Sequence, residues 1–288
     1  MRKFILSLCL LAAGASALAG ADYKCFENLR YGPARSDVPA DDPTQDRILD
    51  IRLPEGEAPA KGWPTVVFIH GGGFSGGDKA MGKGLRPLFE GMLAKGYAVV
   101  SINYCLTRKN DKANRPKDFK GRWVSCTSEM KNGFPADGKY HPDLQRAIDD
   151  ASEDAGMALV WLSKNARKYG LDKKRFAIMG GSAGAITCLY TAFVYPPKKV
   201  KIRAVVNCWG AIHDVAAIKT AKIPVLTFHG ETDELINVCY GGAIQKRLEE
   251  LGNKDSRFIY MEGRGHAQYI YVGKERIGDI TDFLDKVL

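Results

Sequence analysis

The sequence lacks long hydrophobic runs beyond its first twenty residues, closely spaced cysteine pairs and internal repeats. Its 288 residues include seven cysteines, and no two of them stand in a C-x-x-C spacing, which argues against a zinc site or a redox dithiol. No later segment is apolar enough to cross a bilayer. Histidine is scarce, with five residues in the chain. We therefore expect no metal site, and a histidine base has few candidates.

The net charge of +9 raises the question of a nucleic-acid partner. The lysines and arginines are scattered, however, and no recognition module is present, so we expect no nucleic-acid binding. The apolar and charged fractions, 45% and 26%, are those of an ordinary globular protein. A basic surface of this kind suits an acidic substrate or an anionic cell envelope.

The first residues have the pattern of an export signal. Two cations precede an apolar run, and small residues follow up to Ala19. The run from Phe4 to Ala13 is too short to span a bilayer. The pattern predicts a signal peptide over residues 1–19 and a secreted or periplasmic protein. It leaves a single domain over residues 20–288 with no integral membrane segment.

Short apolar runs alternate with helical segments along the chain. Strands are predicted at 47–53, 65–70, 97–104, 175–179, 202–208, 223–229 and 257–261, and helices at 85–95, 142–168, 183–194, 237–251 and 268–287. Several strand runs are continuously apolar, as strands buried on both faces are. The alternation predicts an α/β fold with a mostly parallel central sheet and helices on both faces. We expect antiparallel pairing at one edge, near residues 23–53.

Residues 106–140 interrupt this alternation with an irregular, basic insert. The insert carries nine lysines and arginines against four acidic residues, with aromatic residues interspersed. It follows the carboxyl end of a strand, where ligands bind in open α/β sheets. One interpretation is that it recognises the non-acyl part of the substrate, and the other is a solvated surface loop.

The cysteines allow two interpretations as well. Cys105 and Cys126 flank the first part of the insert, and a disulfide between them would close a loop in an oxidising compartment. Alternatively, several of the six cysteines outside the signal peptide are small buried hydrophobic residues. We expect the Cys105–Cys126 bridge.

The stretch HGGGFSGGDK, residues 70–79, is unusually rich in glycine and directly follows a strand. It fits the spacing of a dinucleotide loop, but the next strand ends with Asn103 where a ribose-binding carboxylate is needed. It also approaches a phosphate loop, but Gly84 replaces the hydroxyl that holds magnesium. The third interpretation is a loop whose backbone N–H groups bind a developing oxyanion.

A nucleophile for the third interpretation lies downstream. IMGGSAGA places Ser182 in a G-x-S-x-G turn between a strand and a helix, which exposes the serine at the top of the sheet. In this fold the acid and the base follow the serine in that order. Asp233 stands in the loop after the strand at 223–229, and His266 is the one histidine beyond it. Glu231, Glu234 and Asp214 are rival acids, and we favour Asp233 over all three.

With a serine nucleophile, the glycine-rich loop at residues 70–79 is expected to bind the oxyanion. Charge that develops on the carbonyl oxygen is bound by the N–H of the residue after the nucleophile, Ala183, and by the loop after the third strand. Gly72 and Gly73 are the expected donors of that loop. His70 is expected to brace the loop rather than act as a second base.

With these motifs the chain resembles the α/β-hydrolase serine esterases of the HGGG type. The resemblance is to hormone-sensitive-lipase-like esterases and to small esterases that remove acyl groups from carbohydrates, and it extends from His70 to the C-terminus through HGGGF, NYCL, GGSAGA, HGETDELI and GRGHA. Carried over onto this sequence, the family's catalytic and oxyanion residues are Ser182, Asp233, His266, Gly72, Gly73 and Ala183. The resemblance implies no organic cofactor and no metal. Two departures are Cys105, where an arginine is usual, and the absence of an N-terminal helical cap, which implies an open site.

The resulting expectation is a secreted serine carboxylesterase that forms an acyl-enzyme on Ser182. Its expected partner is a small-molecule or glycan ester, with a short or aromatic acyl group on a plant-type carbohydrate. A serine peptidase of the same fold and a non-catalytic hydrolase-fold binding protein are the alternatives.

Overall fold

The computed structural model describes residues 23–36, 38, 41–110, 130–131, 134–135 and 142–288. The predicted signal peptide and most of the 106–140 insert lie outside these residues. None of the described helices combines the length and the hydropathy needed to cross a bilayer.

Ten strands and seven α-helices are described. The strands are β1 (Lys24–Arg30), β2 (Ile48–Leu53), β3 (Trp63–Ile69), β4 (Ala98–Ile102), β5 (Met130–Lys131), β6 (Phe134–Pro135), β7 (Leu171–Gly181), β8 (Ile202–Cys208), β9 (Val225–Gly230) and β10 (Arg257–Met261). The helices are α1 (Arg86–Ala94), α2 (Thr107–Asn110), α3 (Pro142–Asn165), α4 (Ala183–Phe193), α5 (Cys239–Glu250), α6 (Tyr269–Glu275) and α7 (Ile277–Val287).

Eight strands form one sheet in the order β1-β2-β4-β3-β7-β8-β9-β10. The β1–β2 and β2–β4 pairs are antiparallel, and every other pair in this sheet is parallel. The short strands β5 and β6 pair separately. The predictions of a mostly parallel sheet and of an antiparallel edge near residues 23–53 are confirmed.

Helices cover both faces of the sheet. Alternate side chains of each strand point to opposite faces, so an apolar strand has side chains to bury on both. In β3, Val66 and Phe68 pack into the core formed with α1, α6 and α7. Val67 and Ile69 pack into the core formed with α3, α4 and α5. The sheet is therefore buried on both sides, which explains the continuously apolar strand sequences.

The structure differs from the predicted elements in two places. The helix expected over residues 268–287 is two helices, because Arg276 leaves helical geometry (φ −126°) and its side chain donates to Asp279 in the first turn of α7. Strand β7 starts at Leu171, before the predicted residue 175, because Leu171 pairs with Trp63 across a register shift.

The predicted bridge between Cys105 and Cys126 is wrong. Cys105 is a free thiol that is 1% exposed, and its Sγ lies 3.5 Å from Thr107 Oγ1. Burial raises the pKa of this thiol to about 11. Three residues after β4, its side chain is buried beside Thr107, so it is one of the small buried residues of the alternative interpretation. Cys239 is disulfide-bonded.

Candidate active site

Ser182 occupies a strained turn between β7 and α4. Its backbone has φ +56° and ψ −124°, a region that residues with a side chain rarely adopt and that is frequent at functional sites. A Cβ on Gly184 would lie 2.0 Å from Ile69 O, and one on Gly180 would lie 2.4 Å from the carbonyl carbon of Gly184. The G-x-S-x-G pattern is therefore required by the close approach of α4 to β3 and β7.

Ser182 and His266 line the same cavity, which has a volume of about 480 Å³. The described lining is mostly glycine backbone, aromatic rings and aliphatic side chains, and Asp78 is the one carboxylate in it. Leu235 is 47% exposed at this cavity. These walls are suited to an uncharged acyl group.

Asp233 and His266 are in direct contact. The structure places His266 Nδ1 2.7 Å from Asp233 Oδ2, while Asp233 Oδ1 accepts hydrogen bonds from the N–H groups of Leu235 and Ile236. Burial alone would raise the pKa of Asp233, but hydrogen bonds from His229, His266 and Ile236 outweigh burial and lower the pKa well below its usual range. The carboxylate is therefore ionised and fixed, as an orienting acid requires.

The loops that follow β9 and β10 bring this pair together. The strands are parallel neighbours, so their carboxyl ends meet at one edge of the sheet. Thr232 N donates to Arg264 O over 2.9 Å, and a Cβ on Gly230 would lie 2.3 Å from the same oxygen. The close crossing leaves Asp233 and His266 facing each other.

The three rival acids do not contact His266. Glu231 accepts a hydrogen bond from Gly263 N over 2.7 Å in an exposed position. Asp214 accepts from Ala216 N over 2.8 Å and begins a short 3-10 helix. Glu234 is exposed. Among the four candidate acids, Asp233 is the one that contacts His266.

The glycine loop is braced by His70, as expected. The His70 ring stacks on Tyr104 with centroids 4.3 Å apart, and its Nδ1 lies 2.7 Å from Gly71 O. Tyr104 Oη donates to the carbonyl oxygen of His70. Burial lowers the pKa of His70 to about 4. A neutral imidazole with a carbonyl partner is a brace and has no carboxylate to orient it as a base.

The loop backbone turns sharply at Gly72 and Gly73, with φ of +112° and +61°. A Cβ on Gly72 would lie 2.0 Å from Gly76 O, so glycine is obligatory there. The far end of the loop is fixed at Lys79, whose N–H donates to Asn103 Oδ1 over 2.7 Å and whose Nζ lies 2.7 Å from the buried Asp50. Asn103, which stands where a dinucleotide site needs a carboxylate, therefore anchors this loop.

His229 is a neighbour of the candidate acid that sequence reasoning missed. Its Nε2 lies 2.8 Å from Ile236 O and 3.5 Å from Asp233 Oδ2, and the side chain is fully buried. It therefore fixes both the carboxylate and the peptide segment that donates to it. The signal in the sequence was the histidine in HGETD, four residues before Asp233.

Trp209 and Tyr269 were also missed. Trp209 follows β8 with φ +45°, and its ring centroid lies 6.2 Å from that of His266 and 4.8 Å from that of Tyr269. The hydroxyl of Tyr269 fills the space that a side chain at Gly181 would occupy, at 2.1 Å from the ideal Cβ position. The position of Trp209 at the carboxyl end of a strand was the one available signal.

The structure thus brings Ser182 and His266 to one cavity, Asp233 to His266, and the predicted oxyanion donors Gly72, Gly73 and Ala183 to the same cavity. Within the described part of the chain, no hydrogen bond joins Ser182 Oγ to His266. Such bonds often tighten only when substrate is bound.

Parts of the chain are similar to known families and to known esterases. The phospholipase/carboxylesterase family matches residues 145–288, which is half of the chain, and a second family, described as BD-FAE, matches residues 49–129. The fumonisin B1 esterase of Sphingopyxis macrogoltabida is 29% identical over 126 residues, which cover 43% of this chain and 18% of that protein. Esterase LipQ of Mycobacterium tuberculosis is 28% identical over 174 residues, 60% of this chain and 32% of LipQ. The chain matches about a third or less of the length of these two relatives.

A solved structure matches over nearly its whole length. A truncated carbohydrate esterase from gut microbiota superimposes with a TM-score of 0.65 at 17% identity, over 94% of this chain and 98% of that chain. At this identity the likeness shows the fold, which is that of the α/β-hydrolases.

Proposed function

Because the chain belongs to the phospholipase/carboxylesterase family of α/β-hydrolases, we propose that it is a serine carboxylesterase whose nucleophile is Ser182. The observation that carries this proposal is the contact between His266 and the ionised Asp233 at a cavity that Ser182 also lines. A nucleophile, a base and an orienting acid are the three parts that acyl transfer through a serine requires.

The proposed reaction has two halves. Ser182 Oγ attacks the ester carbonyl carbon while His266 Nε2 accepts the hydroxyl proton. The tetrahedral intermediate then collapses, the alcohol leaves with the proton from His266, and an acyl-enzyme remains on Ser182. Water attacks the acyl carbon with His266 again as base, which releases the carboxylic acid and restores Ser182.

The negative charge of the tetrahedral intermediate is assigned to the glycine loop and to the start of α4. The N–H groups of Gly72, Gly73 and Ala183 are the proposed donors, since all three residues line the cavity. One such donor typically lowers the barrier by about 3–4 kcal/mol. The obligatory glycine at 72 supports this assignment, because the loop can then bring its backbone rather than a side chain to the reacting oxygen.

We propose an acylated carbohydrate as the substrate and export from the cytoplasm as the route to it. The resemblance to the carbohydrate esterase from gut microbiota supports the first, and the predicted signal peptide supports the second. The uncharged walls of the cavity fit a short or aromatic acyl group. The basic insert at 106–140 is the proposed contact for the non-acyl part.

The test compares the purified wild type with its Ser182→Ala variant. We expect the wild type to hydrolyse p-nitrophenyl acetate, to release acetate from acetylated xylo-oligosaccharides and to leave aminoacyl-anilides intact. Treatment with paraoxon should add one diethylphosphoryl group, located on the Ser182 peptide by mass spectrometry. A folded Ser182→Ala variant with a tenth of the wild-type rate would overturn the assignment. Full-length protein that stays in the cytoplasm with residues 1–19 uncleaved would overturn the export proposal.

A further inference from the structure

A second cavity, larger than the first, lies along α3. Its volume is about 690 Å³, and it lies between one face of α3 and the segment at Tyr195 and Pro197. It shares no lining residue with the cavity of Ser182. The proposed esterase reaction makes no use of it.

A buried hydroxyl in the wall of this cavity has no partner. Ser152 is 1% exposed, and its Oγ makes no hydrogen bond to any residue that the structure describes. A buried donor and acceptor without partners destabilises a fold, and such groups in native proteins require an explanation. The hydroxyl lies just behind the cavity wall, and rotation about χ1 of Ser152 would present it to a ligand in the cavity.

One helical turn further along α3, Gly156 keeps the same wall open. It stands inside a 24-residue helix, where glycine is less favourable than alanine. A Cβ built on Gly156 would meet no atom within 4 Å, so packing does not require glycine there. The residue costs helix stability and leaves room in the cavity.

The two flanking aromatic side chains, one exposed and one half-buried, are held in place by their neighbours. Tyr195 is 44% exposed, yet its hydroxyl donates to Asp149 Oδ1 over 2.9 Å and its N–H donates to Tyr190 O. Trp161 is half-buried, with its ring 5.8 Å from that of Tyr169. Rigid aromatic faces bind ligands with little loss of conformational entropy.

The charges on the rim select among ligands. Asp149 and Glu153 offer carboxylate oxygens against the single ammonium of Lys164, so an anionic polymer is repelled while hydroxyl donors are accepted. The groove follows α3 from Asp149 to Lys164, about 22 Å at the helical rise. Aromatic faces, hydroxyl acceptors and an elongated shape together suit a neutral sugar chain.

From these features we infer that the α3 cavity is a second, non-catalytic binding site for a neutral polysaccharide. The inference rests on the proposed carbohydrate substrate, because a site for the polymer backbone would hold the enzyme on the material that carries its esters. Binding here adds to binding at the catalytic cavity through a high local concentration.

The test measures binding to a glycan without acyl groups, so that it does not depend on esterase activity. Affinity electrophoresis in soluble deacetylated xylan compares the wild type with Gly156→Leu, which fills the cavity and favours the helix, and with Tyr195→Ala. Tyr260→Ala removes an equally exposed tyrosine on β10 and serves as the matched control. We expect binding at least tenfold weaker for the first two variants, wild-type binding for the control, and unchanged kcat/KM on p-nitrophenyl acetate for all three.

Three outcomes would overturn the inference. They are wild-type protein that does not bind xylan, Gly156→Leu protein that melts at or above the wild-type temperature and binds as well as the wild type, and tighter binding to polygalacturonate than to xylan that is lost in Gly156→Leu and Tyr195→Ala. None of these outcomes affects the proposed ester hydrolysis, which is measured separately on p-nitrophenyl acetate.

Discussion

His70 and His266 line the same cavity but have opposite surroundings. The His70 ring is stacked on Tyr104, its Nδ1 contacts a backbone carbonyl, and burial lowers its pKa to about 4. His266 contacts the ionised carboxylate of Asp233. Position in the cavity therefore does not make a histidine a base, because a catalytic base also needs a carboxylate that orients its ring.

The largest expected effect is the loss of activity when the proposed nucleophile or the proposed base is removed. Ser182→Ala and His266→Ala should each lower kcat/KM on p-nitrophenyl acetate by about 10⁴-fold or more, and the double variant should lose little beyond either alone, because these residues act as a unit. Additive losses in steady-state kinetics would contradict a shared mechanism. His70→Asn is the control, with an expected loss of no more than about 10²-fold, because it shifts the loop of the proposed oxyanion donors without removing them.

The next effect concerns the acid. Asp233→Asn keeps an oxygen for the N–H groups of Leu235 and Ile236 but presents an amide to His266, which favours the wrong tautomer. We expect kcat to fall by about 10³–10⁴-fold. Glu231→Gln in the same loop is the matched control and should retain wild-type kcat. The reverse result would make Glu231 the acid.

A smaller effect is expected at the histidine behind the acid. His229→Asn removes the contacts to Ile236 O and Asp233, so the carboxylate is less well held. We expect kcat to fall on the order of tenfold with little change in KM, since a small misplacement of a catalytic group affects the reaction more than binding. Val225→Ala, a truncation in the core of the same strand, controls for lost stability. Equal kcat in both variants would assign His229 a purely structural role.

The smallest expected effect is on the pH dependence of stability, and it comes from His70. Its pKa in the folded state, about 4, lies below that of an unperturbed histidine, about 6.5. Between these values the unfolded chain binds a proton that the folded chain does not, so this contribution is full above pH 6.5 and is lost as pH falls towards 4. The free energy of unfolding should decrease by roughly 2–3 kcal/mol from this group between pH 7 and pH 4.5.

Urea unfolding at the two pH values checks this effect. His70→Asn should show a correspondingly smaller loss of stability than the wild type, while Ser182→Ala should keep the wild-type pH dependence. Parallel behaviour of His70→Asn and the wild type would show that His70 is protonated in the fold or that it titrates alike in both states.

Much of the fold could be predicted because each buried strand is a run of consecutive apolar residues in the sequence. The short apolar runs placed seven strands of the main sheet within a few residues of their observed bounds. The break at Arg276 and the free thiol of Cys105 could not be predicted, because each depends on contacts made after the chain has packed. A cysteine spacing alone does not tell in which direction a side chain points.

The turn at Ser182 and the order of the candidate acid and base could be predicted from the sequence alone, because G-x-S-x-G between a strand and a helix is a recognisable pattern and one histidine follows Asp233. The contact that requires glycine at 184, with Ile69 O, is tertiary. Tertiary structure decided between Asp233 and Glu231, brought His229 behind the acid and packed Trp209 near His266. It also opened the cavity along α3. These contacts join residues from different strands and helices, and their distances follow from sheet register and helix packing, which no local pattern of residues specifies.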